Sequence, residues 1–421
     1  MHLSRNSSYL ASPQTVYFLI LCFFCCLPQL AWSMNSKHEI NIQSNIILQH
    51  HTDTDSWLNG GLGRYDLNKE AALNEIQLGY RYKPSANVMF FTHIQSQLNS
   101  EADSADNLGL VEYKFQASKD IDWNQRMTLT LGQFFLPISM ENSNPFWDSP
   151  YTIHFSSLNS WIGEEFRPIG LDFQYSFFTD KQATLSAAAT VFGGNDSMGA
   201  LLAYRGWSLG RQRTALGDLL SLPELESINN SGAFAAQRHD GTRPFGHDLD
   251  QRPGYAIRTQ YLNDQLLLSA SWIDNRGDRE LHRGEYAWDT RFGIIGAAWL
   301  VNDQWELLME YSQGKSTMGA GPGVDIRFYS TYIMSSYLIH HYRVSLRLEQ
   351  FGSDDLDTVD NENNDLGRAL TMALFWQPEE GPIQLGIEAM YLNTKRQRST
   401  VTGLRSDSES HSLTGIIRYQ F

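Results

Sequence analysis

The chain has 421 residues, with 32 Lys and Arg against 47 Asp and Glu, which gives a formal net charge of −15. Nucleic-acid binding needs clustered basic residues that contact phosphates, so this composition excludes that class of partner. The three cysteines, Cys22, Cys25 and Cys26, all lie in the first 26 residues, so a chain that loses this segment has neither disulfides nor cysteine metal sites.

The N-terminal segment has the pattern of a secretory signal. Arg5 precedes an apolar run over 16–30, and Ala31 and Ser33 place small residues where a signal peptidase reads. A run of this length is short for a membrane-spanning helix, which needs about 20 apolar residues. We expect residues 1–33 to be a cleaved signal peptide and residues 34–421 to form the mature protein.

Beyond residue 33, apolar residues recur at every second position, which indicates β-strands with one apolar face and one polar face. The sixteen predicted strands cover 37–48, 74–82, 88–98, 108–116, 126–136, 169–178, 183–193, 255–262, 266–274, 290–300, 305–312, 325–339, 342–351, 367–377, 383–393 and 413–421. The connections alternate between short and long along the whole chain, as they do in outer-membrane barrels but not in soluble sandwiches. The sequence therefore predicts an all-β fold, a transmembrane antiparallel barrel.

The last predicted strand carries an assembly signal. Ile417, Tyr419 and Phe421 share one face and end the chain on an aromatic residue. A terminal Phe with an aromatic residue two places before it resembles the signal that the bacterial barrel-assembly machinery recognises. We therefore predict insertion into the outer membrane of a Gram-negative bacterium, in contact with outer-membrane lipid and lipopolysaccharide.

The polar face of the predicted strands should line a water-filled lumen, because sixteen strands enclose more space than side chains fill. The acidic wall residues are Glu75, Glu112, Asp172, Glu306, Glu310, Glu349 and Glu388, and the basic ones are Arg81, Lys114, Arg126, Arg258, Arg343, Arg347 and Arg418. Seven acids face seven bases, so the wall alone predicts weak ionic selectivity. These charges equally fit a role limited to pairing with one another and solvating a wide lumen.

The connection 137–168 is the predicted pore constriction. It is long for a hairpin loop and rich in aromatic residues, which favours packing against the inner wall over exposure to water. Its candidate site residues are Glu141, Trp147, Asp148, Tyr151, Trp161, Glu164, Glu165 and Arg167. Four acids against one arginine give the loop a net charge of 1 − 4 = −3, which predicts a lean toward cations or neutral solutes at the narrowest point.

The residues around this loop also carry a family resemblance. Gly132, Gln133 and Phe134 are followed by Pro137 and Glu141, and Arg167, Pro168, Ile169 and Gly170 open the next strand. Over about 129–175 and the terminal strand, this pattern resembles the phosphate-selective porin O and P family. The resemblance implies sixteen strands, an inward-folded loop after the fifth strand and a homotrimer. The family's phosphate path uses a ladder of arginines and a lysine cluster, which do not occur at matching positions here.

Two further connections leave alternatives open. The predicted long extracellular loop 194–254 contains an apolar segment from Met198 to Trp207 and a predicted short helix over 211–220. It fits a mobile surface loop, a cover over the mouth, a contact with a neighbouring subunit or a partial plug. The acidic connection 352–366 fits a solvated charge run better than a Ca²⁺ site, because it lacks the glycine of an EF-hand loop. The basic loop with Lys395, Arg396, Arg398 and Arg405 could draw anions to the mouth, although salt screens that attraction.

The sequence thus favours a porin for passive diffusion of small hydrophilic solutes or ions, without cofactor, metal or catalysis. A homotrimer would bury part of the outer wall, where Ala187, Ala189, Gly293 and Gly296 offer small side chains. A barrel hydrolase would need a Ser, His and acid cluster on neighbouring strands, and no such motif is evident. A surface protein that acts in adhesion or outer-membrane structure through its long loops is the alternative.

Overall fold

The computed structural model describes residues 37–421 except 60, 99–107, 180–181, 223–224, 226–227, 229–231, 233, 238–240, 247, 322, 359–363, 380 and 398–406. The predicted signal peptide with its cysteines lies outside the described residues, as do Arg398 and Arg405 of the predicted basic loop. Among the described residues, no helix is long and apolar enough to cross a bilayer.

The described strands form one closed antiparallel barrel, in which β1 pairs with β18 to complete the ring. The barrel strands are β1 (His38–His51), β2 (Glu70–Ser85), β3 (Val88–Leu98), β4 (Leu108–Asp122), β5 (Gln125–Gln133), β6 (Ile169–Phe178), β7 (Thr184–Gly193), β8 (Gly254–Leu262), β9 (Leu266–Asp274), β12 (Asp289–Asn302), β13 (Trp305–Met318), β14 (Val324–Ile339), β15 (Tyr342–Asp355), β16 (Asp365–Trp376), β17 (Ile383–Arg396) and β18 (Asp407–Gln420). Between β9 and β12, a separate two-stranded hairpin is formed by β10 (Leu281–His282) and β11 (Glu285–Tyr286). The predicted sixteen-stranded barrel is confirmed.

The two faces of each strand explain why the sheet closes. On β15, Val344, Leu346 and Leu348 are exposed on the outer surface, whereas Arg347 and Glu349 are buried inside. An apolar outer surface and a polar inner surface invert the arrangement of a soluble sandwich and suit a barrel surrounded by lipid. Closure also leaves no strand edge with unpaired backbone groups, which lipid could not satisfy.

The strand boundaries differ from the prediction mainly at the end of the barrel with long connections. β13 continues to Met318 and β17 to Arg396, several residues beyond their predicted ends. The connection between β13 and β14 is consequently only 319–323, much shorter than the predicted 313–324. These extensions are rich in polar residues, and they continue the strand pairing toward the end of the barrel with long connections, beyond the apolar band.

The hydrophobic core of the protein lies inside the barrel. The connections 52–69, 134–168 and 194–253 enter the lumen, and they include the helices α1 (Ser157–Glu165) and α2 (Ala200–Tyr204). The Trp161 ring lies 6.0 Å from Trp207, 4.9 Å from Phe292 and 5.2 Å from Phe328, measured between ring centroids. Two connections and two wall strands thus share one aromatic core.

The helix that we predicted over 211–220 does not form. The backbone groups there bond to other segments instead: the Thr214 amide donates to the Gly163 carbonyl at 3.1 Å and the Leu216 amide to the Leu110 carbonyl at 2.9 Å, and a turn follows at 216–217. The short helix of this connection is α2, within the apolar segment. Most of the described residues of the connection 194–254 are buried inside the barrel, which fits a partial plug better than a mobile surface loop.

The C-terminal residue completes the closure of the barrel. The Phe421 amide donates to the Ile42 carbonyl at 3.1 Å, and the Ile42 amide donates to the Phe421 carbonyl at 2.8 Å. The rings of Tyr419 and Phe421 lie 5.7 Å apart. The ladder between the first and last strands therefore extends to the final residue of the chain.

Deletion of Phe421 should lower the amount of folded barrel in outer-membrane fractions, because it removes both a closing backbone pair and the terminal aromatic ring. The shift in electrophoretic mobility on heating distinguishes folded from unfolded protein. A Phe421→Trp variant keeps the ring and the backbone pair and should assemble normally. An unchanged yield for the deletion would contradict the assembly role of this residue.

Candidate functional site in the barrel interior

The glutamates of the wall hold the constriction loop by its main chain. Glu112 accepts the Phe135 amide at 3.0 Å, Glu310 the Met140 amide at 2.7 Å, Glu388 the Ile153 amide at 2.7 Å and Glu349 the Ser157 amide at 2.8 Å. A buried carboxylate needs such donors to offset the loss of water. The backbone of the loop supplies them, so the position of the loop is fixed along its length.

Arg347 is the centre of one buried network. Its guanidinium lies 3.0 Å from Glu141 of the loop and 3.1 Å from Glu349 of the wall. It also donates to the carbonyls of His154 and Phe155 at 3.0 and 3.1 Å. The planar guanidinium thus joins β15 to Glu141 and to the segment His154–Phe155, which precedes α1. At the start of α1, the Ser157 amide donates to Glu349 and the Asn159 amide to the Ser156 hydroxyl.

A second network joins loop 194–253 to the wall. Glu75 accepts from Arg211 at 2.9 Å and from Arg213 at 2.7 Å. Asp148 accepts from Arg418 at 2.7 Å, and Arg211 and Arg213 both lie 3.8 Å from its carboxylate. The arginine neighbours hold the pKa of Asp148 below its usual range against the effect of burial. Three arginines against two carboxylates leave this buried network with a charge of 3 − 2 = +1.

The last turn of α1 carries two buried carboxyl groups in different settings. Glu164 pairs with Arg205 at 2.8 Å and accepts from the Ser208 hydroxyl at 3.2 Å. Glu165 accepts from the Trp161 indole at 2.6 Å and from the amides of Gly199 and Leu201 at 3.1 and 3.0 Å. Burial raises the pKa of Glu165 to about 7, and its hydrogen bonds and the more distant Arg205 offset this only in part. Burial also raises the pKa of Glu164, although Arg205 pairs with it directly.

The aromatic residues and the arginine of the loop are buried. Trp147 stacks on Phe135 with ring centroids 4.2 Å apart. Arg167 donates to the carbonyls of Val111, Thr214 and Gly163 at 2.9, 2.5 and 3.2 Å, with its guanidinium 4.1 Å from the Phe135 ring centre. Arg167 therefore ties the loop, β4 and the connection 194–253 together.

Several of the remaining wall charges lie toward the end of the barrel with short turns. Tyr151 donates to Glu306 at 3.3 Å, and Glu306 pairs with Arg343 at 3.0 Å. Two further pairs there are Arg81 with Glu39 at 2.7 Å and Arg126 with Asp120 at 2.6 Å. Two pairs lie farther from the short turns: Lys114 with Glu112 at 3.4 Å and Arg258 with Asp172 at 3.0 Å. The pairs nearest the short turns remain partly exposed, whereas Arg258 and Asp172 are buried.

The structure corrects the charge argument made for the constriction loop. A net charge of −3 does not act alone, because Glu141, Asp148 and Glu164 each have an arginine partner. Sequence reasoning missed Arg64, Arg205, Arg211 and Arg213, which enter from neighbouring connections. One sequence signal could have indicated Arg211 and Arg213. With Leu209 they occupy every second position, which is the period of an extended segment with one face toward a partner.

The acidic connection after β15 does not form a cluster in its described part. Asp365 is buried inside the barrel and pairs with Arg64 at 2.5 Å, and Asp357 accepts the Asp325 amide at 2.9 Å. Asp360 and Glu362 lie outside the described residues. Within the described residues, the group that brings three carboxylate oxygens within 4.8 Å is instead Asp196, Asp248 and Asp250, and these could hold a divalent cation. Burial and the two neighbouring carboxylates raise the pKa of Asp196 to about 6.

Comparison with known proteins gives the class of the fold. No protein-family model matches the sequence, and no curated protein matches it significantly. An anion-selective porin from Comamonas acidovorans is similar in structure, with a TM-score of 0.53 at 10% identity over 91% of this chain and 100% of that chain. The outer membrane channel DcaP of Acinetobacter baumannii gives 0.52 at 11% identity over 93% and 99%. OmpT of Vibrio cholerae, an outer membrane protein in trimer form, gives 0.51 at 8% identity over 91% and 99%. The chain therefore has the fold of the outer-membrane porins.

An Arg347→Ala substitution should lower the free energy of unfolding by about 3–5 kcal/mol, because it leaves buried carboxylates and carbonyls without their donor. Arg343→Ala on the same strand breaks the partly exposed pair with Glu306 and should cost about 1 kcal/mol or less. Urea titration of both folded variants in detergent measures the two losses. Equal losses would contradict the anchoring role of Arg347.

The pKa of Glu165 predicts how the packing of α1 on α2 depends on pH. An unfolded chain releases this proton near the ordinary pKa of 4.5, whereas the folded chain keeps it until about 7. The folded state therefore binds more protons between these values, and stability falls as pH rises through this window, by on the order of 3 kcal/mol.

Amide hydrogen exchange over 199–205, corrected for intrinsic rates, should show less protection at about pH 8 than at about pH 5. A Glu165→Gln variant should remove the difference. Glu164→Gln is the matched control, and it should lower protection at both pH values because Arg205 loses its partner. Protection of the wild-type protein that does not change with pH would contradict the prediction.

Proposed function

We propose that the protein is a porin of the Gram-negative outer membrane through which small hydrophilic solutes or ions diffuse passively. The observation that carries the proposal is the constriction loop, which wall glutamates and Arg347 hold inside a closed sixteen-stranded barrel. The porin fold supports the same function. No bond chemistry is part of the proposal, and the barrel-assembly machinery would insert the chain.

The selectivity that fits this interior is weak. Three of the four acids of the loop, Glu141, Asp148 and Glu164, are paired with arginines. The arginines near the constriction are paired with Glu75 and Asp148. An open row of unpaired cations, which the resemblance to the phosphate-selective family would require, is not supported by these pairs. We therefore infer a narrow general channel and keep membership of that family as the finer hypothesis.

Removal of 144–160 should raise single-channel conductance in planar bilayers several-fold, because the segment contains Trp147 and the first half of α1.

The control keeps the loop and fixes it in place by a disulfide. The hydroxyl oxygens of Ser157 and Ser330 lie 2.8 Å apart, so Ser157→Cys with Ser330→Cys places two thiols across the contact between loop and wall.

Oxidation of the double-cysteine variant should leave conductance unchanged if solutes pass beside a stationary loop. A conductance that rises on reduction would show that the loop must move to open the path. An absence of conductance steps in the wild-type protein and in the deletion variant would overturn the channel proposal. That result would favour a surface role in adhesion or outer-membrane structure, because the filled interior suits a barrel that does not conduct.

We also propose a homotrimer. Ala187 and Ala189 lie exposed on the outer face of β7, beside a groove of about 460 Å³ lined by Tyr175, Leu185 and Tyr261. Gly296 does not belong to this face, because it points inward, where a side chain would meet Met140 at 2.9 Å. Native mass spectrometry in detergent should report three chains. A Leu185→Lys variant should reduce the mass to one chain, and a wild-type mass of one chain would contradict the proposal.

A further inference from the structure

A row of three cations crosses the outer wall near the end of the barrel with long connections. Arg291 on β12 pairs in register with Lys315 on β13, and Lys315 pairs with Arg327 on β14. The three positions share the outward parity of Ile295, Tyr311 and Ile333 on the same strands. Asp274 and Asp354 flank the row in the same register. Three adjacent positive charges therefore face outward at one level.

These cations are only partly neutralised by the protein. Lys315 pairs with Asp325 at 2.9 Å, and Asp289, two residues from Arg291 on β12, is attracted to both Arg291 and Lys315. Within the described part of the chain, neither Arg291 nor Arg327 forms an ion pair, and both are exposed. Arginines on the lipid-facing wall of a barrel are costly at the bilayer centre and inexpensive near the interface, where anionic headgroups can neutralise them. The three cations lie close to the long-connection ends of their strands, so in a membrane they would lie at the depth of the lipid headgroups.

An apolar groove of about 770 Å³ runs down the outer wall from this row. Its upper end is lined by the three cations, and its lower part by Ile257, Trp272, Ile295 and Tyr311. Gly293 forms its floor, because the missing side chain leaves space beside Trp272, whose ring lies 3.5 Å from where a Cβ would be. The site thus combines a cationic head with an apolar, aromatic-lined channel.

We propose that this site binds a phosphorylated glycolipid of the outer leaflet, with its phosphate groups on Arg291, Lys315 and Arg327 and one acyl chain in the groove. The inference rests on the outer-membrane location proposed above. Guanidinium groups bind phosphate oxygens through paired hydrogen bonds, and Lys adds a point charge. A second copy of this chain is the less suitable occupant, because the site also contains Lys315 and is flanked by Asp274 and Asp354, and Lys and Asp are depleted in protein interfaces.

The experiment measures binding of bisphosphorylated lipid A to the folded protein in detergent by native mass spectrometry. The variant Arg291→Gln, Lys315→Gln, Arg327→Gln should lose at least about tenfold in affinity, because it loses three phosphate-binding groups. The control Arg276→Gln, Arg279→Gln, Arg283→Gln removes the same charge from exposed residues of the neighbouring connection and should bind within about twofold of wild type.

Two further measurements separate the parts of the site. Gly293→Leu fills the groove with an apolar side chain that lipid tolerates, and it should weaken lipid A binding while the barrel still folds. Dephosphorylated lipid A should bind the wild-type protein as weakly as lipid A binds the triple variant. Inorganic phosphate should not displace lipid A, because it lacks the acyl chain.

Equal losses in both triple variants would overturn the proposal and would indicate general attraction between charges. A triple variant that falls from trimer to monomer and still binds lipid A would also overturn it and would assign the row to contact between subunits. Binding is measured without conductance, so a barrel that binds lipid A but forms no channel would refute the proposed function alone. A conducting barrel without this binding would refute only the lipid site.

Discussion

The structure depends on the satisfaction of wall carboxylates that are buried beneath the loops inside the barrel. A closed sheet of this size places polar side chains inside, and the loops that enter the lumen remove the solvent that would bind them. The carboxylates of Glu310, Glu349 and Glu388 meet this requirement by accepting main-chain amides of the constriction loop. Main-chain donors do not depend on side-chain identity, so the wall fixes the path of the loop independently of its exact sequence.

Alternation in the sequence was sufficient to predict the barrel, because a period of two decides which residues face lipid and which face the lumen. All the predicted wall residues, from Glu75 on β2 to Arg418 on β18, lie at inward positions of their strands. This success has a simple cause: a strand has only two faces, and a shift of one residue would place charges in lipid.

The interior was harder to predict because its contacts join residues that are distant in sequence. Arg211 is 136 residues from its partner Glu75, and Arg64 is 301 residues from Asp365. No local pattern records such pairs, and the charge of the constriction loop considered alone gave the wrong balance. The helix over 211–220 failed for the same reason, since its amides had better partners in other segments than in their own helical turn.

The shared aromatic core also constrains the order in which the protein can be built. Trp161 and Trp207 reach their final surroundings only when Phe292, Phe328 and Phe351 are present, and these residues belong to the second half of the chain. During insertion, the first nine strands would therefore carry two large apolar loops that have no enclosing wall. The barrel must therefore close around the two loops that fill it. This closure depends on contacts between residues far apart in sequence, and such contacts form slowly.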